Sequence, residues 1–244
     1  MDLFGIIGNP LGHSISAEYF TKKFAVEESL DTKEYRVFEL PTIDALPEMV
    51  AHHRDLRGFN VTIPYKVSVL KYLDELSPEA REIGAVNCVK IGEDGRMTGY
   101  NTDCGAFRES LVDFLHQRRP KALVLGTGGA SKAVQFALKK ENIDFLTVSH
   151  SGHGQMDYSQ LSREMAERQL IVNCTPLGMA PNIKDCPPIP YELLTEQHLL
   201  FDLIYNPPTS EFLRQGQRHG TSICNGQRMF VLQAEASWRI FGRQ

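Results

Sequence analysis

What this chain lacks narrows its function first. Only five of its 244 residues are cysteine, at 88, 104, 174, 186 and 224, an odd number with no Cys-x-x-Cys pair. That argues against a disulfide framework and a zinc knuckle and fits a reducing compartment, so the cytoplasm is the expected location. Positive charge is in short supply too: 26 Lys and Arg stand against 30 Asp and Glu, a net charge of −4, and no basic run exceeds Arg118-Arg119-Pro120-Lys121. A nucleic-acid partner is not expected. Apolar runs such as Ala122-Leu123-Val124-Leu125 fall far short of the roughly 20 residues that span a bilayer. The amino terminus carries Asp2 where a signal peptide is basic, and Gly5, Gly8 and Pro10 break its apolar stretch, so neither a membrane helix nor export is expected. Histidines are present as His52-His53 and His150-x-x-His153, but without a His-Glu-x-x-His or a nearby cysteine pair, and no metal site is expected.

What is present describes a globular protein. Hydrophobic residues make up 42% and charged residues 23%, a balance that disordered chains do not reach. At about 150 residues per domain, the length allows one large domain or two modest ones. Short apolar runs alternate with amphipathic stretches, the pattern of an α/β protein. Strands are expected at 4–8, 35–40, 58–63 and 87–91, with helices near 17–29, 43–54 and 65–74 and a hairpin turn at Glu93-Asp94-Gly95. A helix over 103–117 leads to Pro120, where a second series begins. Its strands are expected at 122–125, 145–149, 170–172, 199–203 and 222–224, and its helices near 130–140, 158–167 and 209–218. Met229, Val231, Leu232, Ala236, Trp238 and Ile240 follow a mostly helical spacing, predicting a last helix over 227–242 that packs on the first series. There is no internal repeat, and Pro187-Pro188-Ile189-Pro190 reads as a surface loop.

A glycine cluster lies between an expected strand and an expected helix: Val124-Leu125-Gly126-Thr127-Gly128-Gly129-Ala130-Ser131. Gly126 suits a tight turn, Gly128 and Gly129 allow close backbone approach to a pyrophosphate, and a helix start offers unpaired N–H groups. Ser131 stands where the last glycine of G-x-G-x-x-G would be. About 20 residues on, where the residue that contacts the adenosine ribose belongs, the strand ends in Ser149-His150-Ser151-Gly152-His153. No Asp, Glu or Arg stands there to separate NAD from NADP.

The first half carries polar residues near its strand ends, where ligands collect in open α/β sheets. Ser14 and Ser16 precede an expected helix, with Ser16 readable either as its N-cap or as a ligand contact. Asn60 and Thr62 alternate along a strand and so share a face, with Lys66 just beyond. Asp103 opens a helix after Asn101-Thr102 and is readable as a plain cap or as a functional acid.

Taken together, these segments resemble the shikimate dehydrogenases in order and content. The resemblance rests on Gly8-Asn9-Pro10-Leu11-Gly12-His13-Ser14-Ile15-Ser16, Phe59 to Lys66, Gly84-Ala85-Val86-Asn87, Asn101-Thr102-Asp103 and the glycine cluster at 126–131. It continues through Asn173 to Met179, Asp202-Leu203-Ile204-Tyr205-Asn206-Pro207, Gly226 to Met229 and Gln233-Ala234, from residue 5 to about 238. It implies reversible, NADP-dependent reduction of 3-dehydroshikimate to shikimate. It also implies an N-terminal α/β substrate domain (1–103) completed by the C-terminal helix (226–244), with a Rossmann-like dinucleotide domain (104–225) inserted and the active site in the cleft. By the resemblance, Lys66 and Asp103 match the catalytic pair. Ser14, Ser16, Asn60, Thr62, Asn87, Tyr205 and Gln233 match substrate positions. Gly126, Gly128, Gly129 and Ala130 match the pyrophosphate turn, with Leu203 and Gly226 near the nicotinamide and Ser149, His150 and Ser151 toward the adenosine ribose.

The implied chemistry suits these groups. Oxidising a carbinol requires loss of its hydroxyl proton, and reduction requires one donated, so one acid/base must touch that oxygen. A lysine ammonium, with an ordinary pKa of about 10.4, must lose its proton to act as base. An orienting, oxyanion-stabilising role for Lys66 therefore stays open beside the acid/base one. A polyhydroxylated substrate also explains the Ser, Thr, Asn and Gln, since each hydroxyl taken from water needs a new partner. Without the family's arginine-bearing loop, NADP is expected to be preferred less strongly, with NAD possible. A quinate/shikimate dehydrogenase using NAD and a non-catalytic NADP-sensing protein are the alternatives. The expected partner is the small substrate alone, on a monomer or homodimer.

Overall fold

The computed structural model describes residues 1–12, 15–150 and 152–242. Contacts divide the chain into two compact units, Met1–Thr102 with Ala234–Gln244, and Asp103–Gln233.

The first unit is built on a six-stranded sheet in the order β2-β1-β3-β5-β6-β4. Its strands are β1 (Asp2–Gly8), β2 (Lys33–Glu39), β3 (Leu56–Val61), β4 (Glu75–Leu76), β5 (Cys88–Ile91) and β6 (Met97–Tyr100). β1 pairs in parallel with both β2 and β3, whereas β3–β5 and β5–β6 are antiparallel. The direction of winding reverses at β1, which opens a crevice beyond the carboxyl ends of β1 and β3. Because β5 runs against β3 and β6 against β5, the start of β5 and the end of β6 lie along that same edge. The helices are α1 (Ile15–Val26), α2 (Leu46–His52) and α3 (Pro78–Ile83).

Strand alternation assigns the two faces. Leu3, Ile7, Phe59 and Val61 enter one core with Leu46, Met49, Val69 and Ala80. Phe4 and Ile6 enter the other with Phe20 and Phe24 of α1 and Ala234, Ile240 and Phe241 from the last helix, α7 (Gln227–Phe241). The C-terminal half of that helix therefore packs on the first series, as its spacing predicts. Gly58 is required there, because a Cβ would strike the ring of Phe241.

Three expected elements come out differently. The stretch 65–74 contains only a 3-10 segment, Ser68–Tyr72, since β-branched Val67 and Val69 weaken a helix. The stretch 158–167 is likewise a 3-10 segment, Tyr158–Arg163, and 43–54 is a 3-10 turn followed by α2. Unforeseen is α3, which starts on a Ser77 cap with Pro78 at its first position and stops at Gly84 in the left-handed region (φ 68°).

The second unit is a five-stranded, all-parallel sheet in the order β11-β10-β9-β7-β8. It comprises β7 (Ala122–Leu125), β8 (Phe145–Val148), β9 (Leu170–Asn173), β10 (Leu199–Asp202) and β11 (Ser222–Cys224), with α4 (Asp103–Leu115), α5 (Gly129–Lys140) and α6 (Glu211–Arg218). This doubly wound order reverses between β8 and β9, at β7, so its crevice opens where the glycine cluster stands.

Candidate active site

Residues on the shared edge of the first sheet hold one another through a buried polar network. Asn60, the fifth residue of β3, turns toward α7. Its Oδ1 accepts from the Tyr35 hydroxyl at 2.9 Å, and its Nδ2 donates to the Asn87 carbonyl at 3.2 Å and to Ser237 Oγ at 2.9 Å. The Asn87 side chain clasps Thr102, accepting from its N–H at 2.7 Å and donating to its hydroxyl at 2.9 Å. Thr102 Oγ1 lies 3.2 Å from Ser237 Oγ. Asn60, Asn87, Thr102 and Ser237 are all buried, where an unmade hydrogen bond is costly, so the four fix each other's orientation.

Thr62 and Lys66 lie on the turn leaving β3. The turn is pinned on both sides of Lys66: the Tyr65 hydroxyl donates to the Leu40 carbonyl at 2.6 Å, and the Lys66 carbonyl accepts from the Val86 N–H at 2.8 Å. Lys66 is thereby held next to Val86, the residue before Asn87. At Gly8, the end of β1, a Cβ would strike the Thr62 methyl, Leu11 and the Ile63 carbonyl. The Thr62 turn thus lies directly against the loop that leads to Ser16. Ser16 is the second residue of α1, which begins at Ile15, so it is not that helix's N-cap. Ser14 lies outside the described residues.

In the second unit, Asp103 is the first residue of α4 and is 4% exposed. Gly126 leaves β7 with φ +100°, a conformation that favours glycine, and packs against Cys174 and Thr175 after β9. Gly128 is the N-cap of α5 and provides no side-chain cap, and a Cβ there would meet open space. The unpaired N–H groups of Gly129, Ala130 and the rest of that first turn suit an anionic pyrophosphate. Ser131, in place of the third glycine, is fully buried and accepts from the Gln135 amide at 2.9 Å.

Leu203 and Gly226 come together, since a Cβ on Gly226 would run into the Leu203 carbonyl and Gly226 N–H donates to Ile204 O at 3.0 Å. Tyr205 stacks on Phe230, ring centroids 4.6 Å apart. Burial, and then the charge of Asp103, push its phenol up to about 12, which keeps it a hydrogen-bond donor near neutrality. Gln233 donates to Phe230 O at 2.9 Å.

Beyond β8, Ser149 and His150 begin a loop that folds back, with Ser149 N–H donating to Met156 O and Met156 N–H to Thr147 O, both at 3.1 Å. Ser151 lies outside the described residues. The return brings Asp157 Oδ2 to 3.7 Å from His150 Nδ1, and the Tyr158 ring lies tilted against the imidazole, centroids 4.4 Å apart. Asp157 is held below the usual carboxylate range, chiefly by the Ser159 N–H. No linear spacing announces an acid nine residues past the strand.

Sequence reasoning also passed over Ser237 and Asp202. Ser237 could have been found, because it interrupts the stripe Phe230, Ala234, Phe241 as a lone polar residue at helical spacing. Asp202 ends β10 fully buried, accepting from Asn173 Nδ2 and Ile204 N–H, each at 3.0 Å, and from the Ser210 hydroxyl. Asn173 in turn accepts from Thr175 N–H and hydroxyl, so Asp202 ties together the segments after β9 and β10. Among the described residues, no group of His, Cys, Asp or Glu could hold a metal ion, and no helix is long and apolar enough to cross a membrane.

Residues 6–89 match the family described as the shikimate dehydrogenase substrate binding domain. The chain is 33% identical to a shikimate dehydrogenase (NADP(+)) of Methanococcus vannielii, with 98% of this chain and 90% of that protein covered. A shikimate dehydrogenase structure from Peptoclostridium difficile superposes with a TM-score of 0.86 at 34% identity, covering 99% of this chain and 91% of that one. A Thermus thermophilus shikimate 5-dehydrogenase in complex with NADP(H) and shikimate gives 0.82 at 30% identity, covering 99% and 94%.

Proposed function

The chain belongs to the shikimate dehydrogenase family, and from that premise we infer that it catalyses the reversible, NADP-dependent reduction of 3-dehydroshikimate to shikimate, a step of aromatic amino-acid biosynthesis. The observation that carries this reading is one chain joining a buried amide and hydroxyl network at a sheet edge to a parallel sheet whose switch point carries a glycine turn and an uncapped helix start. The first suits a polyhydroxylated acid and the second a dinucleotide pyrophosphate.

Residues 1–103 and 226–244 serve as the substrate domain and 104–225 as the NADP domain. Ser14 and Ser16 take the substrate carboxylate, while Thr62, Asn87, Tyr205 and Gln233 take its ring oxygens, Tyr205 as a donor. The Asn60 amide is engaged with Tyr35, Asn87 and Ser237, so Asn60 acts by holding Asn87. Gly126, Gly128, Gly129 and Ala130 receive the pyrophosphate, Leu203 and Gly226 border the nicotinamide, and Ser149, His150 and Ser151 border the adenosine ribose. Bound NADPH supplies the hydride. Lys66 and Asp103 handle the proton on the reacting oxygen: during reduction the oxygen gains charge that the Lys66 ammonium stabilises and a proton that the pair delivers. The five free cysteines accord with work in the cytoplasm, as a monomer or homodimer. Nucleotide absorbance with shikimate and NADP(+) tests the reading. Turnover that depends on both is expected, and its absence would overturn the assignment.

A further inference from the structure

Ser237 belongs to neither the glycine turn nor the polar sheet edge, yet the buried network converges on it. Its hydroxyl receives the second Asn60 N–H at 2.9 Å and lies 3.2 Å from Thr102 Oγ1, and Thr102 Oγ1 is also the acceptor for the Asn87 amide. At this oxygen α7 meets the end of β3 and the segment after β6, and the residue before β5 joins through Thr102.

We propose that Ser237 is a positioning residue for shikimate, setting through Thr102 the orientation of the Asn87 amide and of the peptide that leads into Asp103. Two features of the geometry support this. First, the Asn87 amide has its oxygen on Thr102 N–H and one N–H on Thr102 Oγ1. It cannot flip without placing donor against donor, so its direction is set by where Thr102 is held. Second, Thr102 is the residue covalently before Asp103, and its side chain is fastened on the far side by Ser237. An alanine at 237 removes the acceptor for one Asn60 N–H and the partner of the Thr102 hydroxyl together. Both groups are buried, and they must move to find new partners.

The proposal rests on the enzymatic reading above, and the experiment keeps the two apart. Initial rates are measured for wild type, Ser237→Ala, Thr102→Val and the double variant, varying shikimate and NADP(+) separately. Wild-type turnover with shikimate is the test of the activity itself. For Ser237→Ala, kcat/KM for shikimate is expected to fall about ten-fold, while KM for NADP(+) stays within about two-fold. The double variant should lose no more than Thr102→Val alone, because both act through one path. A merely structural role predicts instead a lower thermal midpoint, with both substrates affected equally or not at all. That result, or additive losses, would overturn the proposal. If Ser237→Ala does not fold, Ser237→Cys keeps the volume with a weaker hydrogen bond. It should show the same shikimate-selective loss in smaller measure, and wild-type kinetics there would count against Ser237.

Discussion

Thr102 and Asn87 hold each other by two reciprocal hydrogen bonds, Thr102 N–H to Asn87 Oδ1 at 2.7 Å and Asn87 Nδ2 to Thr102 Oγ1 at 2.9 Å. Both side chains are buried, so the pair is expected to matter for stability as well as for binding. Thr102→Val conserves shape but removes the hydroxyl that accepts an Asn87 N–H and meets Ser237 Oγ. It should destabilise the protein by about 1–3 kcal/mol. Thr102→Ser keeps both bonds and should cost less than about 1 kcal/mol. Urea unfolding of the two variants checks this, and equal losses would mean the methyl, not the hydroxyl, matters.

The turn that carries Lys66 is pinned through Val86 N–H on the Lys66 carbonyl and the Tyr65 hydroxyl on Leu40, two contacts that Lys66→Ala keeps. If Lys66 acts on the reacting oxygen, kcat should fall roughly 10²–10⁴-fold with a small change in KM. Retention of more than about a tenth of kcat with an unchanged pH profile would exclude that role.

Ser16 lies inside the first turn of α1, after its first residue Ile15, and so has no capping duty to lose. Ser16→Ala is expected to raise KM for shikimate and leave the thermal midpoint nearly unchanged. A lowered midpoint with normal KM would return it to a structural role.

The parts legible in the sequence were those written in one local stretch. The β7 strand at 122–125, the glycine turn and the last helix each carry their own periodicity and stop signals, and each formed as expected. The short helical segments at 65–74 and 158–167 did not, because a few apolar residues at helical spacing in so short a stretch cannot offset the cost of helix nucleation, and at 65–74 Val67 and Val69 add to it. What stayed hidden was set by distant partners. The engagement of Asn60 depends on Ser237, 177 positions away, and Asp157 reaches His150 only because its loop bridges back to Val148 at Met156. Such pairings arise from the tertiary fold and leave no mark on linear spacing.

Asp202 is a buried carboxylate that accepts from three donors, the Asn173 amide, the Ile204 N–H and the Ser210 hydroxyl. Burial raises its pKa from 3.8 to about 6, against the opposing pull of those donors. Since the folded state binds the proton more tightly than the unfolded chain, this group's contribution to stability is full below pH 3.8 and is lost as pH rises through about 6. Asp202→Asn keeps an acceptor for Ile204 and cannot ionise. Its stability relative to wild type should therefore rise across that interval, as read from urea midpoints at several pH values. A constant difference would mean that Asp202 does not titrate there.

Cofactor choice should turn on the pair His150 and Asp157. The His150 ring can hydrogen-bond the extra ribose phosphate of NADP, while Asp157, ionised and 3.7 Å from His150 Nδ1, repels it and offsets part of that attraction. Both side chains are exposed, so the repulsion is screened and modest. Asp157→Asn removes the charge and keeps a residue that caps the 3-10 segment equally well. The NADP-to-NAD ratio of kcat/KM should rise about three-fold at low salt and less at high salt. His150→Arg, which places a permanent charge at that position, should raise the ratio and tighten NADP. A ratio that Asp157→Asn leaves unchanged would remove the carboxylate from the cofactor's path, and one that His150→Arg leaves unchanged would dismiss position 150 as the phosphate's neighbour.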